Sequence, residues 1–185
     1  MPKKKCIILD IDGVIIYSKN AIFHLYSEIL KQQNQEFKRE DVQKIYGKTD
    51  FESHAVLKSL GYKIPEYSEY RKEVEKLRSN IDSYYELTPI GNVLQHLKTT
   101  SKLCIATNRT DESANRILNK FKIKRFFDFV ATVSAFNPKP DPSMILHCLK
   151  ATKTDKKDAL FVGDTAIDKL AGERAGVKTM IISLE

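Results

Sequence analysis

Several features that sort proteins into broad classes are missing from this chain of 185 residues. No apolar run approaches the roughly 20 residues needed to cross a bilayer, so no membrane span is expected. After the basic start Met1-Pro2-Lys3-Lys4-Lys5, only Cys6–Leu9 is apolar, too short for the centre of a signal peptide. Cysteine is scarce. Cys6, Cys104 and Cys148 are odd in number, widely spaced and without a C-x-x-C pair, and Cys6 and Cys104 lie inside apolar runs. They read as small buried hydrophobes of a cytoplasmic protein, not as a disulfide framework. Without a secretory signal, the sequon Asn108-Arg109-Thr110 carries no glycosylation meaning. Low-complexity tracts and internal repeats are absent as well.

The net charge of +7 raises the question of nucleic acid. What is lacking is a basic surface interleaved with stacking aromatics. The cluster Lys120, Lys122, Lys124 and Arg125 is accompanied by Phe121 and the Phe126-Phe127 pair, which read as core. Residues 17–85 hold 12 Lys/Arg against 11 Asp/Glu, so the excess lies in the rest of the chain, with 19 against 13. A solvated basic face is expected, with no nucleic-acid partner, and such a face gathers anionic substrates by steering.

What is present falls into two textures. Residues 17–85 show only helical periodicity. Ile22, Leu25, Tyr26, Ile29 and Leu30 form one apolar stripe. Thr49-x-x-Glu52 is a capping box opening a short helix that Gly61 closes, and Tyr67, Tyr70, Val74, Leu77 and Ile81 form another stripe. Residues 86–185 alternate instead. A helix carrying Val93, Leu94 and Leu97 precedes a strand at Leu103–Thr107, and a helix from Asp111 to about Phe121 precedes Phe129–Thr132. A helix from about Pro142 to Thr152 precedes Ala159–Val162, and a last helix ending near Gly176 precedes Thr179–Ser183. This β-α repeat predicts an α/β fold, a Rossmann-like parallel sheet flanked by helices. The opening strand Lys5–Leu9 is separated from the repeat by the helical stretch. The expected organisation is therefore a discontinuous core, 1–16 and 86–185, with an inserted all-α domain at 17–85.

The most informative stretch is Ile7–Gly13, an apolar run ending in Asp10-Ile11-Asp12-Gly13. A carboxylate at the end of a buried strand costs several kcal/mol unless it is paired or metal-bound. Carboxylates at i and i+2 of an extended segment share one side, so they can share a hard cation or divide into nucleophile and acid. The alternative, a polar turn that Asp10 and Asp12 merely open, is weighed against what the other strand ends carry. Leu103–Ala106 ends in Thr107-Asn108. Ala159–Val162 ends in Gly163-Asp164-Thr165, with Asp168 one helical turn on. Pro138-Lys139-Pro140-Asp141-Pro142 follows Phe129–Thr132. Open α/β sheets bind ligands at the carboxyl ends of their strands, and carboxylates with free water positions suit octahedral Mg²⁺. A hydroxyl and an ammonium suit phosphate oxygens. Singly, each is an ordinary cap or solvated charge; together, in order and all at strand ends, they are not.

These four motifs resemble those of the haloacid dehalogenase superfamily, over essentially the whole chain: hhhhDxDG at Ile7–Gly13, a strand ending in threonine at Leu103–Thr107, the lysine Lys139, and GDxxxD at Gly163–Asp168. The helical insert resembles the C1 cap of the phosphoglycolate-phosphatase-like and β-phosphoglucomutase-like branch. The resemblance implies a Mg²⁺-dependent phosphatase of small phosphorylated metabolites. Asp10 is then the nucleophile and Asp12 the general acid and base. Asp10 and Asp164 with the Asp12 carbonyl hold Mg²⁺, and Asp168 supports them from behind. Thr107, Asn108 and Lys139 hold the phosphoryl group. Identity of Asp12 points away from dehalogenases and transport ATPases, and Thr107-Asn108 favours a phosphatase over a phosphomutase of the β-phosphoglucomutase kind or a silent binding module. Gly47-Lys48-Thr49-Asp50 mimics the tail of a P-loop, but the first glycine of that motif would fall at Val42 with no strand before it. By the same resemblance this loop is where substrates are chosen, with Lys48 and Thr49 as candidates. Members of the branch usually continue past the last strand, whereas the sequence stops at Ser183-Leu184-Glu185. A shorter sheet edge is expected, and a terminal Leu-Glu left from cloning is allowed for.

Overall fold

The computed structural model describes residues 5–183; the basic start before Lys5 and the terminal Leu184-Glu185 lie outside them. Two compact units divide the chain, one of residues 1–17 with 87–185 and one of residues 18–86. In chain order, β1 (Cys6–Leu9) and β2 (Ile16–Tyr17) are followed by α1 (Lys19–Lys31), α2 (Val42–Ile45), α3 (Asp50–Ser59) and α4 (Tyr67–Leu77). Then come β3 (Glu86–Leu87), α5 (Pro89–Asn92), α6 (Leu94–Thr100), β4 (Lys102–Thr107), α7 (Asp111–Lys120) and β5 (Phe129–Thr132). The chain continues with α8 (Ser143–Thr152), β6 (Ala159–Gly163), α9 (Ala166–Ala175) and β7 (Lys178–Ile181).

The larger unit is a parallel sheet of order β5-β4-β1-β6-β7. β1 takes the centre because its residues are apolar on both faces, as a strand covered on both sides requires: Cys6, Ile8 and Leu9 are all buried. Leu9 pairs with Ile105 of β4 and Val162 of β6, so Asp10, Thr107 and Gly163 leave the sheet along one edge. The strand order runs outward from β1 in both directions, which makes this edge the switch point where α/β sheets form their crevice. On one face Ile8, Cys104 and Phe161 pack with Met144, Ile145 and Cys148 of α8 and Ala171 of α9. All three cysteines are buried. A hydrogen bond with its neighbouring thiol, and then burial, push Cys6 and Cys104 far above the ordinary thiol range, so they remain neutral packing groups.

Three local expectations are corrected. The helix carrying Val93 is two short helices, α5 and α6, with the break at Val93 (φ −101°, ψ 8°), which is exposed and leaves Leu94 as the buried residue. Phe121, Phe126 and Phe127 are half-buried, so they flank the core instead of filling it. The last strand is Lys178–Ile181, ending two residues before Ser183.

The smaller unit is helical. Leu25, Tyr26, Ile29 and Leu30 of α1 are buried, with Ala21 in place of the half-buried Ile22. The capping box of α3 is complete: Thr49 Oγ1 accepts from the Glu52 N–H, and Glu52 accepts from the Thr49 N–H at 2.8 Å. Inside, the Tyr26 and Tyr70 hydroxyls meet at 2.9 Å, and Arg78 pairs with Asp50 and Glu75.

α9 lies so close to β7 that a Cβ on Gly172 would run into the stiff Thr179 side chain. Gly172→Ala is expected to lower stability by about 1–3 kcal/mol through overpacking. Urea unfolding measures it; an unchanged midpoint would mean that α9 shifts freely on the sheet.

Candidate active site

Asp10 leaves the end of β1 with its backbone N–H bonded to Val162 O at 3.0 Å. Its side chain is buried, and Oδ1 accepts the Ile11 N–H at 2.7 Å. Gly13 then turns the chain at φ 67°, a left-handed conformation that favours glycine, and its N–H bonds Ile16 O at 2.9 Å. Thr107 closes β4, buried, with Oγ1 accepting the Arg109 N–H at 3.3 Å. Asn108 does not point away from the protein. Its side chain accepts the Lys139 N–H at 2.8 Å and donates to Lys139 O at 3.4 Å, so it fixes the main chain that carries the lysine.

Lys139 is buried between two carboxylates, with Nζ 2.6 Å from Asp168 Oδ1 and 3.0 Å from Asp10 Oδ2. Asp168 opens α9 through a capping box with Thr165. Its Oδ2 accepts from the Thr165 hydroxyl at 2.6 Å, the Thr165 N–H at 3.0 Å and the Asp164 N–H at 3.3 Å. Gly163 is glycine for this reason: a Cβ there would overlap the Asp168 side chain.

Burial pushes the Asp10 carboxyl up to about 7; the Lys139 charge pulls it down, while the charges of Asp168 and Asp12 push the same way as burial. Burial acts the same way on Asp168, but there Lys139 and the bonds from Thr165 win, and the carboxyl is held below its ordinary range. Lys139 is held above the ordinary lysine range, because Asp10 and Asp168 outweigh its own burial.

Oxygens of Asp10, Asp164 and Asp168 all lie within 4.8 Å of one another. An all-carboxylate set fits a hard cation such as Mg²⁺. Both oxygens of Asp168 are engaged by Lys139 and Thr165, and both oxygens of Asp10 by the Ile11 N–H and Lys139. Charge agrees with that fit. Asp10, Asp164 and Asp168 bring three carboxylates into one ligand set, and a divalent cation there would offset their mutual repulsion.

The motifs overlook Arg109. Its Nε donates to Asp12 Oδ2 at 2.8 Å and its Nη2 to Asp12 Oδ1 at 2.7 Å, while Nη1 reaches Ser113 Oγ at 2.9 Å. The available signal was the cost of leaving Asp12 unpaired, with an arginine two residues past the end of a neighbouring strand. The structure thus joins Asp10, Lys139 and Asp168 through one shared lysine, holds Asp12 separately on Arg109, and sets Asp164 beside Asp10 and Asp168, with Thr107 and Asn108 anchoring the loops. Lys48 and Thr49 belong to the helical unit, where the Thr49 hydroxyl is committed to its capping box.

Lys139→Met would strip two buried carboxylates of their shared cation, a change expected to destabilise by about 3–5 kcal/mol. Asp168, held low, contributes stability that is present above the ordinary carboxylate range and lost as pH falls. Asp10, held high, works in the opposite sense and favours the fold while protonated. The deficit of the variant is therefore largest at about pH 8 and shrinks toward about pH 4, where, without the Lys139 charge, burial lets both carboxyls of the variant take protons. Chemical unfolding across that range measures it; a deficit independent of pH would mean that Lys139 acts by packing alone.

The sequence model of the haloacid dehalogenase-like hydrolases matches residues 7–182. The chain is 30% identical over 179 residues to a pyrophosphatase PpaX of Bacillus velezensis, spanning 94% of this chain and 80% of the relative. It is also 30% identical over 186 residues to a phosphoglycolate phosphatase of Aquifex aeolicus, spanning 96% and 84%. Among solved structures, a HAD-superfamily hydrolase of subfamily IA from Geobacter sulfurreducens superposes with a TM-score of 0.77 at 26% identity, covering 96% of this chain and 86% of that one. With the strand order, the four motifs at the strand ends and a family match across nearly its whole length, the chain belongs to the haloacid dehalogenase-like hydrolases.

Proposed function

We propose that this chain is a Mg²⁺-dependent phosphatase of small phosphomonoesters that works through a phosphoryl group carried on Asp10. One observation carries the proposal: two aspartates a single residue apart are held by two different cations, Asp10 by Lys139 and Asp12 by Arg109. Paired titratable groups in different surroundings take different roles.

Asp10 attacks phosphorus through a carboxylate oxygen, and the bond from phosphorus to the leaving oxygen breaks. Asp12 delivers a proton to that oxygen and then accepts one from the water that attacks the phosphoryl-aspartate. The bond between phosphorus and the Asp10 oxygen breaks in turn, releasing phosphate. Thr107, Lys139 and the backbone N–H groups near Asn108 hold the phosphoryl oxygens. The Asp10 and Asp164 side chains and the Asp12 carbonyl would hold Mg²⁺, which would supply positive charge against the transferring phosphoryl group. Asp168 keeps Lys139 in place.

Residues 17–85 act as the cap that chooses the substrate. The relatives named for pyrophosphate and phosphoglycolate act on molecules with a second anionic group beside the phosphoryl group, and Lys48 is the residue proposed to meet such a group. Thr49 contributes by fixing the end of the loop through its capping box. Our reading assigns the enzyme to the cytoplasm, a reducing compartment that suits three buried free cysteines.

Asp10→Asn should abolish phosphate release from p-nitrophenyl phosphate in a protein that still folds, with a lower melting temperature because Lys139 loses one of its two carboxylates, since an amide is a poor nucleophile and a poor Mg²⁺ ligand. Near-normal turnover in a folded variant would remove the mechanism.

Lys48→Ala should lower kcat/KM about ten- to a hundredfold for substrates with a second anionic group, the range of a lost charge-assisted hydrogen bond. Hydrolysis of p-nitrophenyl phosphate should change little. Equal loss for both substrates would show that Lys48 serves the phosphoryl group or the fold.

A further inference from the structure

Asp12 follows β1 by three residues, on a turn that Gly13 closes in a left-handed conformation. A short carboxylate has two rotatable side-chain bonds, and their settings decide where its oxygens point. The structure supplies a choice. The Arg109 guanidinium meets the Asp12 carboxylate fork to fork, both pairs of atoms within 2.8 Å, and both side chains are largely sheltered from water, at 10% and 17% exposure. Two parallel charge-assisted bonds set the plane of a carboxylate as well as its distance, which a single ammonium cannot do.

Arg109 is itself fixed on three sides. Its third nitrogen donates to Ser113 on the first turn of α7, its N–H bonds Thr107 Oγ1, and its carbonyl accepts the Val133 N–H at 3.2 Å. The ends of β1, β4 and β5 are therefore joined through one arginine whose charged head is spent on Asp12.

We propose that Arg109 is the positioning residue for Asp12, aiming its carboxylate for proton transfer at the leaving oxygen and taking no part in holding the phosphoryl group. This rests on the phosphatase function proposed above. With both Asp12 oxygens engaged, proton transfer at either one opens one of the two bonds to Arg109 while the other keeps the carboxylate aimed. Loss of the fork therefore affects substrates in proportion to their need for an acid. A p-nitrophenolate leaves without a proton; an alkoxide does not.

The test compares kcat/KM, which reports the steps up to departure of the leaving group, for p-nitrophenyl phosphate and for glycerol phosphate. Arg109→Gln should lower it about tenfold or more for glycerol phosphate, part of the 10²–10⁴ that a positioned acid supplies, and less than about threefold for p-nitrophenyl phosphate. Arg109→Lys should recover part of the loss. Asp12→Asn should show the same asymmetry, and adding Arg109→Gln to it should reduce kcat/KM for glycerol phosphate no further, the non-additivity of two residues acting as one. Equal loss on both substrates, no loss on either, or a further tenfold loss on top of Asp12→Asn would overturn the proposal. Thermal melts accompany each variant. If Arg109→Gln does not fold, Arg109→Lys must show the asymmetry, and failure of both to fold would make the pair a structural one. A wild-type protein that hydrolyses neither ester would sink the phosphatase assignment and this inference with it, whereas a wild type active on both with symmetric losses sinks the inference alone.

Discussion

A lysine ammonium buried between two carboxylates is the constraint on which this site depends. Taking each such ion out of water costs several kcal/mol even after relaxation, and the cost is offset only when every partner is in place. Lys139 reaches Asp10 and Asp168 together. The loop after β5, the end of β1 and the start of α9 are therefore held to one geometry. The surrounding fold serves that geometry. Asn108 clamps the main chain of Lys139, the Thr165 capping box holds the far oxygen of Asp168, and Gly163 has no side chain because Asp168 fills that space.

The same logic separates Asp10 from Asp12. Two carboxylates this close in sequence would repel and share one behaviour if left to water. Here one is buried against an ammonium and the other lies on a guanidinium fork. Burial pushes the first up toward neutrality, where a divalent cation beside it would restore the ionised nucleophile. The helical unit uses similar devices for a different end. Asp50, next to the Gly47–Thr49 loop, is fixed by Arg78, and the capping box holds Thr49.

Much of this was legible in the residues. The apolar runs Cys6–Leu9, Leu103–Thr107 and Ala159–Val162 are strands because they are short, continuous and followed by turn residues, and the first and last of them lead into the carboxylates. The capping boxes at Thr49 and Thr165 differ in how far sequence reached them. Thr49-x-x-Glu52 is an ordinary pattern, while Thr165-Ala166-Ile167-Asp168 hides in a catalytic motif, so one aspartate both caps a helix and holds a lysine. Val93 was misplaced because the 3.6 period continues through a break that only backbone geometry at that residue reveals. Arg109 was missed because motif positions describe who touches the substrate, and a residue that orients another leaves no spacing of its own. Position alone suggested the backbone near Asn108 for phosphate and did not show that its side-chain amide matches the main chain of Lys139 in both directions.

The central claim is that Asp10 carries the phosphoryl group and Asp12 serves its arrival and departure. Acid quenching of the Asp12→Asn protein during turnover of p-nitrophenyl phosphate with Mg²⁺, followed by mass spectrometry of the peptide that contains Asp10, tests it most directly. With its base removed, the variant should accumulate a phosphoryl group on Asp10 that hydroxylamine releases. A phosphoryl group on any other residue, or steady phosphate release with none on the protein, would contradict the account.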